Sequence, residues 1–165
     1  MVRNRLPVLI LALLTAVPAG TEAFGAVDPD LLAGLKARSI GPSGMSGRVA
    51  AIDAVESSPN VIWVGAATGG VWKSIDGGLT WRPVFDDQPV AAIGALAINQ
   101  SNPDVVWVGT GEGNLRNSVS IGNGVYRTLD GGRTWQHLGL EKSERIYRIV
   151  LHPSNPDVAW VTAMG

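Results

Sequence analysis

Short apolar runs separated by polar or glycine-rich breaks organise the chain after residue 47, the pattern expected of successive β-strands. In a first unit, Arg48 to Val55 is apolar, Val61 to Ala67 is β-branched around Trp63, Val71 to Ile75 alternates, and Thr80 to Val84 follows a Gly-Gly turn. A second unit predicts strands over Ala92 to Ile98, Val105 to Thr110, Val125 to Leu129 and Thr134 to Leu138. A third supplies Arg145 to Leu151 and Val158 to Ala163.

These units are copies of one another. Pro59-Asn60-Val61-Ile62-Trp63-Val64-Gly65 returns as Pro103-Asp104-Val105-Val106-Trp107-Val108-Gly109 and as Pro156-Asp157-Val158-Ala159-Trp160-Val161-Thr162, offsets of 44 and then 53 residues. A second motif, Gly70 to Trp81 with Asp76-Gly77-Gly78 at its centre, returns 54 residues later as Gly124 to Trp135 with Asp130-Gly131-Gly132. About ten residues are therefore inserted between Gly109 and Gly124. All six tryptophans fall at repeat addresses: 63, 107 and 160 share one, 81 and 135 another, and 72 faces Tyr126. Four-stranded units at this period predict an all-β fold, a β-propeller of antiparallel blades. The units span 48–88, 89–140 and, incomplete, 141–165. A propeller closes with roughly four to eight blades; two and a half imply either a piece of a larger propeller or a short chain that assembles with others.

The first residues read as an address. Arg3 and Arg5 precede an apolar run from Leu6 to Val17 and then small residues through Ala26, the three-part pattern of a signal peptide. The run is shorter than the roughly 20 residues a spanning helix needs. Residues 1–23 are thus expected to be cleaved, with 24–47 as a lead-in, placing the mature chain in the periplasm or outside the cell with no stable membrane span.

Composition narrows the chemistry. Formal net charge is −1 and pI about 6.1, which leaves no basic field for a nucleic-acid backbone. With no cysteine, disulfides and thiolate chemistry are excluded, and His137 and His152 are the only imidazoles. His152 aligns with Asn99 as a turn residue and His137 falls on a fourth strand, so neither metal nor cofactor is expected. No G-x-S-x-G, H-E-x-x-H or Walker-type phosphate motif is present.

In the Asp-Gly-Gly turns, glycine supplies positive φ at no steric cost and the Asp carboxylate can accept from following amides. Ser74 or Thr128, and Thr80 or Thr134, offer hydroxyls across the hairpin. Trp81 and Trp135 are expected to turn inward between neighbouring sheets, each burying about 150–250 Å². Ser74-Ile75-Asp76-Gly77-Gly78-Leu79-Thr80-Trp81 and Thr128-Leu129-Asp130-Gly131-Gly132-Arg133-Thr134-Trp135 resemble the Asp-box, or bacterial neuraminidase repeat (BNR), pattern S/T-x-D-x-G-x-T-W. The flanking text, Arg38 to Pro42, Gly47 to Val49 and Gly109 to Asn114, resembles bacterial exported sortilin-type propellers, often labelled glycosyl hydrolases. The resemblance covers roughly 35–165. It implies a structural role for Ser74, Asp76, Gly78, Thr80, Trp81, Thr128, Asp130, Gly132, Thr134 and Trp135, away from the ligand face, and assigns no catalytic residue.

Strand parity indicates where a site can lie. Turns between strands 1 and 2 and between 3 and 4 share one face, which the Asp-boxes occupy. Turns between strands 2 and 3 and the links between units share the other. That second face collects Arg48, Asp86, Asp87, Glu112, Asn114, Arg116, Asn117, Glu144 and Arg145 as ligand-binding candidates. The insertion is read either as a solvated loop packing on the adjacent blade or as a ligand contact. Two function classes follow, with a purely architectural propeller as a third. One binds a protein, peptide or glycan ligand; the other is a sialidase-like glycosyl hydrolase, for which two carboxylates must stand about 5–10 Å apart.

Overall fold

The computed structural model describes residues 48–114 and 119–165. The expected signal peptide and lead-in, and the candidates Arg116 and Asn117, lie outside these.

Among the described residues, ten strands form three antiparallel sheets, each laid down in chain order. The first holds β1 (Val49–Val55), β2 (Ser58–Ala66), β3 (Gly70–Ser74) and β4 (Arg82–Pro83). The second repeats it with β5 (Ile93–Ile98), β6 (Val106–Thr110), β7 (Val125–Thr128) and β8 (Gln136–His137), and the third pairs β9 (Arg145–Leu151) with β10 (Ala159–Met164). The expected strands are present within a few residues, save that each fourth strand is only two residues long. It closes with two ladder pairs, Trp72 with Pro83 and Lys73 with Arg82 in the first sheet.

Packing between sheets explains the repeat. One core lies between the first two sheets, with Trp63, Val71 and Phe85 against Ile93, Leu96, Val106, Val108 and Tyr126. A second lies between the second and third, with Ala95, Trp107 and Val125 against Ile146 and Ile149. Trp63 and Trp107 thus each face the following sheet. All five residues of β6 are buried because a sheet covers each of its faces, so that strand reads as a continuous apolar run rather than an alternating one. The glycine after each Trp-Val pair is required by close approach. A Cβ on Gly65 would lie 2.6 Å from the Ile93 side chain, and one on Gly109 would lie 2.3 Å from that of Ile146. The first-strand isoleucine of each following sheet therefore seats over a glycine of the sheet before.

Each Asp-Gly-Gly turn is a hub of hydrogen bonds on one carboxylate. The Ser74 hydroxyl donates to Asp76 Oδ1 at 2.7 Å and the Thr80 hydroxyl to Oδ2 at 2.5 Å, while the Thr80 amide donates to Oδ1 at 2.9 Å. Thr128, Asp130 and Thr134 repeat this at 2.7, 2.9 and 2.6 Å. The hydroxyls meet at the carboxylate rather than bonding to each other across the hairpin. These bonds favour the ionised form and pull the Asp76 pKa down to about 2, and that of Asp130 further in the same direction.

The two hub tryptophans differ. Trp135 enters between the sheets as expected: its Nε1 donates to the Val84 carbonyl at 2.6 Å and its ring meets Trp63 and Phe85 edge-on at 6.4 and 5.0 Å. Trp81 packs on Ile62, Val64, Ala66 and Trp72, on the face of the first sheet turned away from the second. The expectation that both lie between sheets of this chain is thus corrected for Trp81. The turn of the second blade leans toward the preceding sheet, and none of the described sheets precedes the first.

Candidate functional site

The three inner strands, β1, β5 and β9, lie side by side and begin at a common rim. Backbone bonds across units fix that rim: the Gly70 amide donates to the Ala91 carbonyl, Gly111 to Ala92 and Gly122 to Glu144, each at 2.8 Å. Register places Arg48, Ala92 and Arg145 at one repeat address, each just before or at the start of its inner strand. Two arginines therefore flank the second blade.

The insertion reaches between them. Gly111, with φ of +87°, is pressed against the third sheet so closely that a Cβ would lie 2.0 Å from the Glu144 carbonyl oxygen and 2.8 Å from Arg145 Cα. Glu112 then turns inward, is fully buried, and forms an ion pair with Arg48, whose side chain is 42% exposed. The Ser120 amide also points at the Glu112 carboxylate at 3.4 Å, and the Glu112 amide donates to the Ser120 carbonyl at 2.9 Å. Gly113 lies against Tyr147. At its far end the insertion is pinned: the Asn123 amide donates to the Thr110 hydroxyl at 2.9 Å, its side-chain amide to the Tyr126 hydroxyl at 2.9 Å, and His137 Nε2 to its carbonyl at 2.7 Å. The described part of the insertion is packed on adjacent blades.

The candidates thus separate into two groups. Arg48, Glu112, Glu144 and Arg145 come together at the rim, with Asn114 exposed beside them. Glu112 does not face solvent as a free acid; it holds Arg48, whose side chain stays partly exposed. Arg145 pairs with Glu144 at 3.6 Å and directs Nη1 at the Met164 sulfur at 3.4 Å, which the Tyr147 hydroxyl also approaches. Asp86 and Asp87 line a groove on the perimeter that also takes in the Asp-Gly-Gly turn of the second blade, while Asp86 Oδ1 lies 3.8 Å from the Cβ position of Gly70, in the strand 2 to 3 turn of the first blade, on the side strand parity assigns to it. Sequence reasoning missed the Arg48 to Glu112 pairing, since no spacing rule links residues 64 positions apart in different units.

Among the described residues no group of three acidic or histidine side chains could hold a metal, and no helix is long and apolar enough to cross a membrane.

The radial packing of repeated antiparallel sheets defines a β-propeller. Comparison with solved structures agrees: an ancestral GH74 enzyme superposes with a TM-score of 0.58 at 21% identity, covering 73% of this chain and 17% of its own. The GH74 enzyme of Niastella koreensis gives 0.49 at 21% identity, over 61% of this chain and 15% of its own. The chain therefore spans about a sixth of the length of the structures it matches, and at this identity the likeness is one of fold. No family model and no curated protein matches the sequence.

Proposed function

We propose that the chain is part of an exported β-propeller that binds a glycan at the rim where Arg48 and Arg145 flank the insertion. The observation that carries this reading is the buried Glu112 carboxylate fixing a half-exposed Arg48. A guanidinium held on one edge presents fixed N–H donors on the other, suited to the paired oxygens of a sugar. The rim cations are matched by Glu112 and Glu144, so the field favours a hydroxyl-rich ligand over a strongly charged peptide. The fold it shares with a GH74 enzyme supports a carbohydrate-related role. The Asp-box and sortilin-like reading belongs to the same proposal, supported by the carboxylate hubs at Asp76 and Asp130.

The test is glycan-array binding by the native protein and an Arg48→Lys variant. Lysine keeps the charge pair with Glu112 but loses the fork of donors. The expected result is saturable glycan binding that weakens about tenfold in Arg48→Lys; binding only to peptides or proteins, or unchanged affinity, overturns the reading. A second reading, hydrolysis of the glycan by the larger protein, is favoured by the GH74 fold likeness. It calls for carboxylates beyond the rim's, since Glu112 is locked in its ion pair, and release of reducing sugar from a bound glycan is the observation that supports it.

A further inference from the structure

The described surface also carries a cavity on the perimeter of the blades. A groove of about 670 Å³ runs along the perimeter between β4 of the first blade and the Asp-Gly-Gly turn of the second. That volume falls within the usual range of small-molecule sites. The half-buried Trp135 forms one wall, and Arg82, Asp86, Asp87 and Arg133 stand exposed around it.

Comparison of the repeats separates what the fold requires from what it does not. Lys73 and Arg127 share an address, each lying over the second-strand tryptophan of its own blade, at 4.7 Å and 5.4 Å from the ring centroid. Arg127 closes onto Asp157 of the following blade at 2.7 Å. Lys73 instead donates to the Gly131 carbonyl at 3.0 Å and leaves the equivalent Asp104 open to the groove. Two of the groove's charges after the first turn do not recur: Arg82 and Asp86 align with Gln136 and Leu140, while Asp87 aligns with another acid, Glu141. Strand geometry is satisfied by either set, so the charged set answers to something other than folding.

These charges do not consume one another. No ion pair joins Arg82 or Arg133 to Asp86 or Asp87 in the groove. The Lys73 pKa is lowered by burial foremost, opposed by Asp104, and lowered further by Arg133 and Arg82, which places the three cations in one neighbourhood. Lys73, Arg82 and Arg133 face Asp86, Asp87 and Asp104, and Asp130, ionised within its own turn, adds a fourth carboxylate to the three cations. With one carboxylate in excess, the groove offers no field to hold an anion. What it offers is planar bidentate donors, planar bidentate acceptors and an indole wall, which match the vicinal hydroxyls and apolar face of a sugar ring.

We propose that this perimeter groove is a second, separate binding site for a neutral oligosaccharide, with Arg82, Arg133, Asp86 and Asp87 as its polar contacts and Trp135 as its wall. It does not depend on the rim. The test measures binding of cellohexaose, maltohexaose and xylohexaose, with hyaluronan hexasaccharide as the charged control, by calorimetry on the native protein in an Arg48→Lys background. The result expected is saturable binding of at least one neutral probe, weakened about tenfold by Arg133→Ala and by Asp86→Ala at unchanged melting temperature. Binding of the charged control alone, no binding, or neutral binding indifferent to both substitutions overturns the proposal. Because the rim is already altered, failure here leaves the rim reading standing, and failure at the rim leaves the groove standing.

Discussion

At the scale of the residue, single polar groups are held by several partners at once, and their titration reports it. Asp76 accepts from both the side chain and the amide of Thr80, and from Ser74, so its folded pKa sits at about 2 against an ordinary 3.8. A carboxylate depressed in the fold contributes stability in full above its unfolded pKa and loses it as pH falls through the folded one. The melting-temperature advantage of the native protein over Asp76→Asn is therefore expected to be constant above pH 4 and to shrink steadily as pH falls toward 2. A difference independent of pH over that range would show that the hub does not act through the ionised carboxylate. The Asp-Gly-Gly turns were legible in the sequence because their bonds are local, spanning four residues or fewer. The partner of Glu112 was not, because Arg48 reaches it only after two units have packed.

At the scale of the element, the interface between blades rests on shape as much as on apolar area. Trp135 has the Val84 carbonyl and two aromatic edges around it, whereas Trp81 rests on its own sheet. Trp135→Ala is expected to lower stability by about 3–5 kcal/mol, and by more than Trp81→Ala, in chemical unfolding of this chain; equal losses would contradict the placement. The Trp-Val-Gly runs carry a second constraint. Gly109→Ala drives a methyl into Ile146 and is expected to cost about 1–3 kcal/mol. Trimming the neighbour with Ile146→Val should recover part of this, so that the double variant loses less than the sum of the two single ones. Additive losses would show that Ile146 is not what the glycine accommodates. The sequence displayed this glycine as part of a repeated motif without showing its reason, since the isoleucine it admits belongs to the next repeat. The third copy carries Thr162 at that address and Trp160 there is 57% exposed.

At the scale of the whole molecule, repetition made the architecture readable and departures from repetition mark the candidate sites. The four-stranded units and the common repeat address of Trp63 and Trp107 followed from aligning the chain on itself. The rim is built where the insertion breaks the repeat, and the perimeter groove where Arg82 and Asp86 stand in place of the next unit's Gln136 and Leu140. Strand parity assigned Asp86 and Asp87 to the rim side, and Asp86 lies there beside Gly70. The same link also lines the groove beside the turn of the following blade. The most direct measurement of glycan binding at the rim is a titration of the isotope-labelled native protein with an array-selected oligosaccharide, following the arginine Nε–H resonances. The expected result is a saturable shift of the Arg48 resonance that is absent in Arg48→Lys. Saturable binding with the Arg48 resonance unmoved would contradict it.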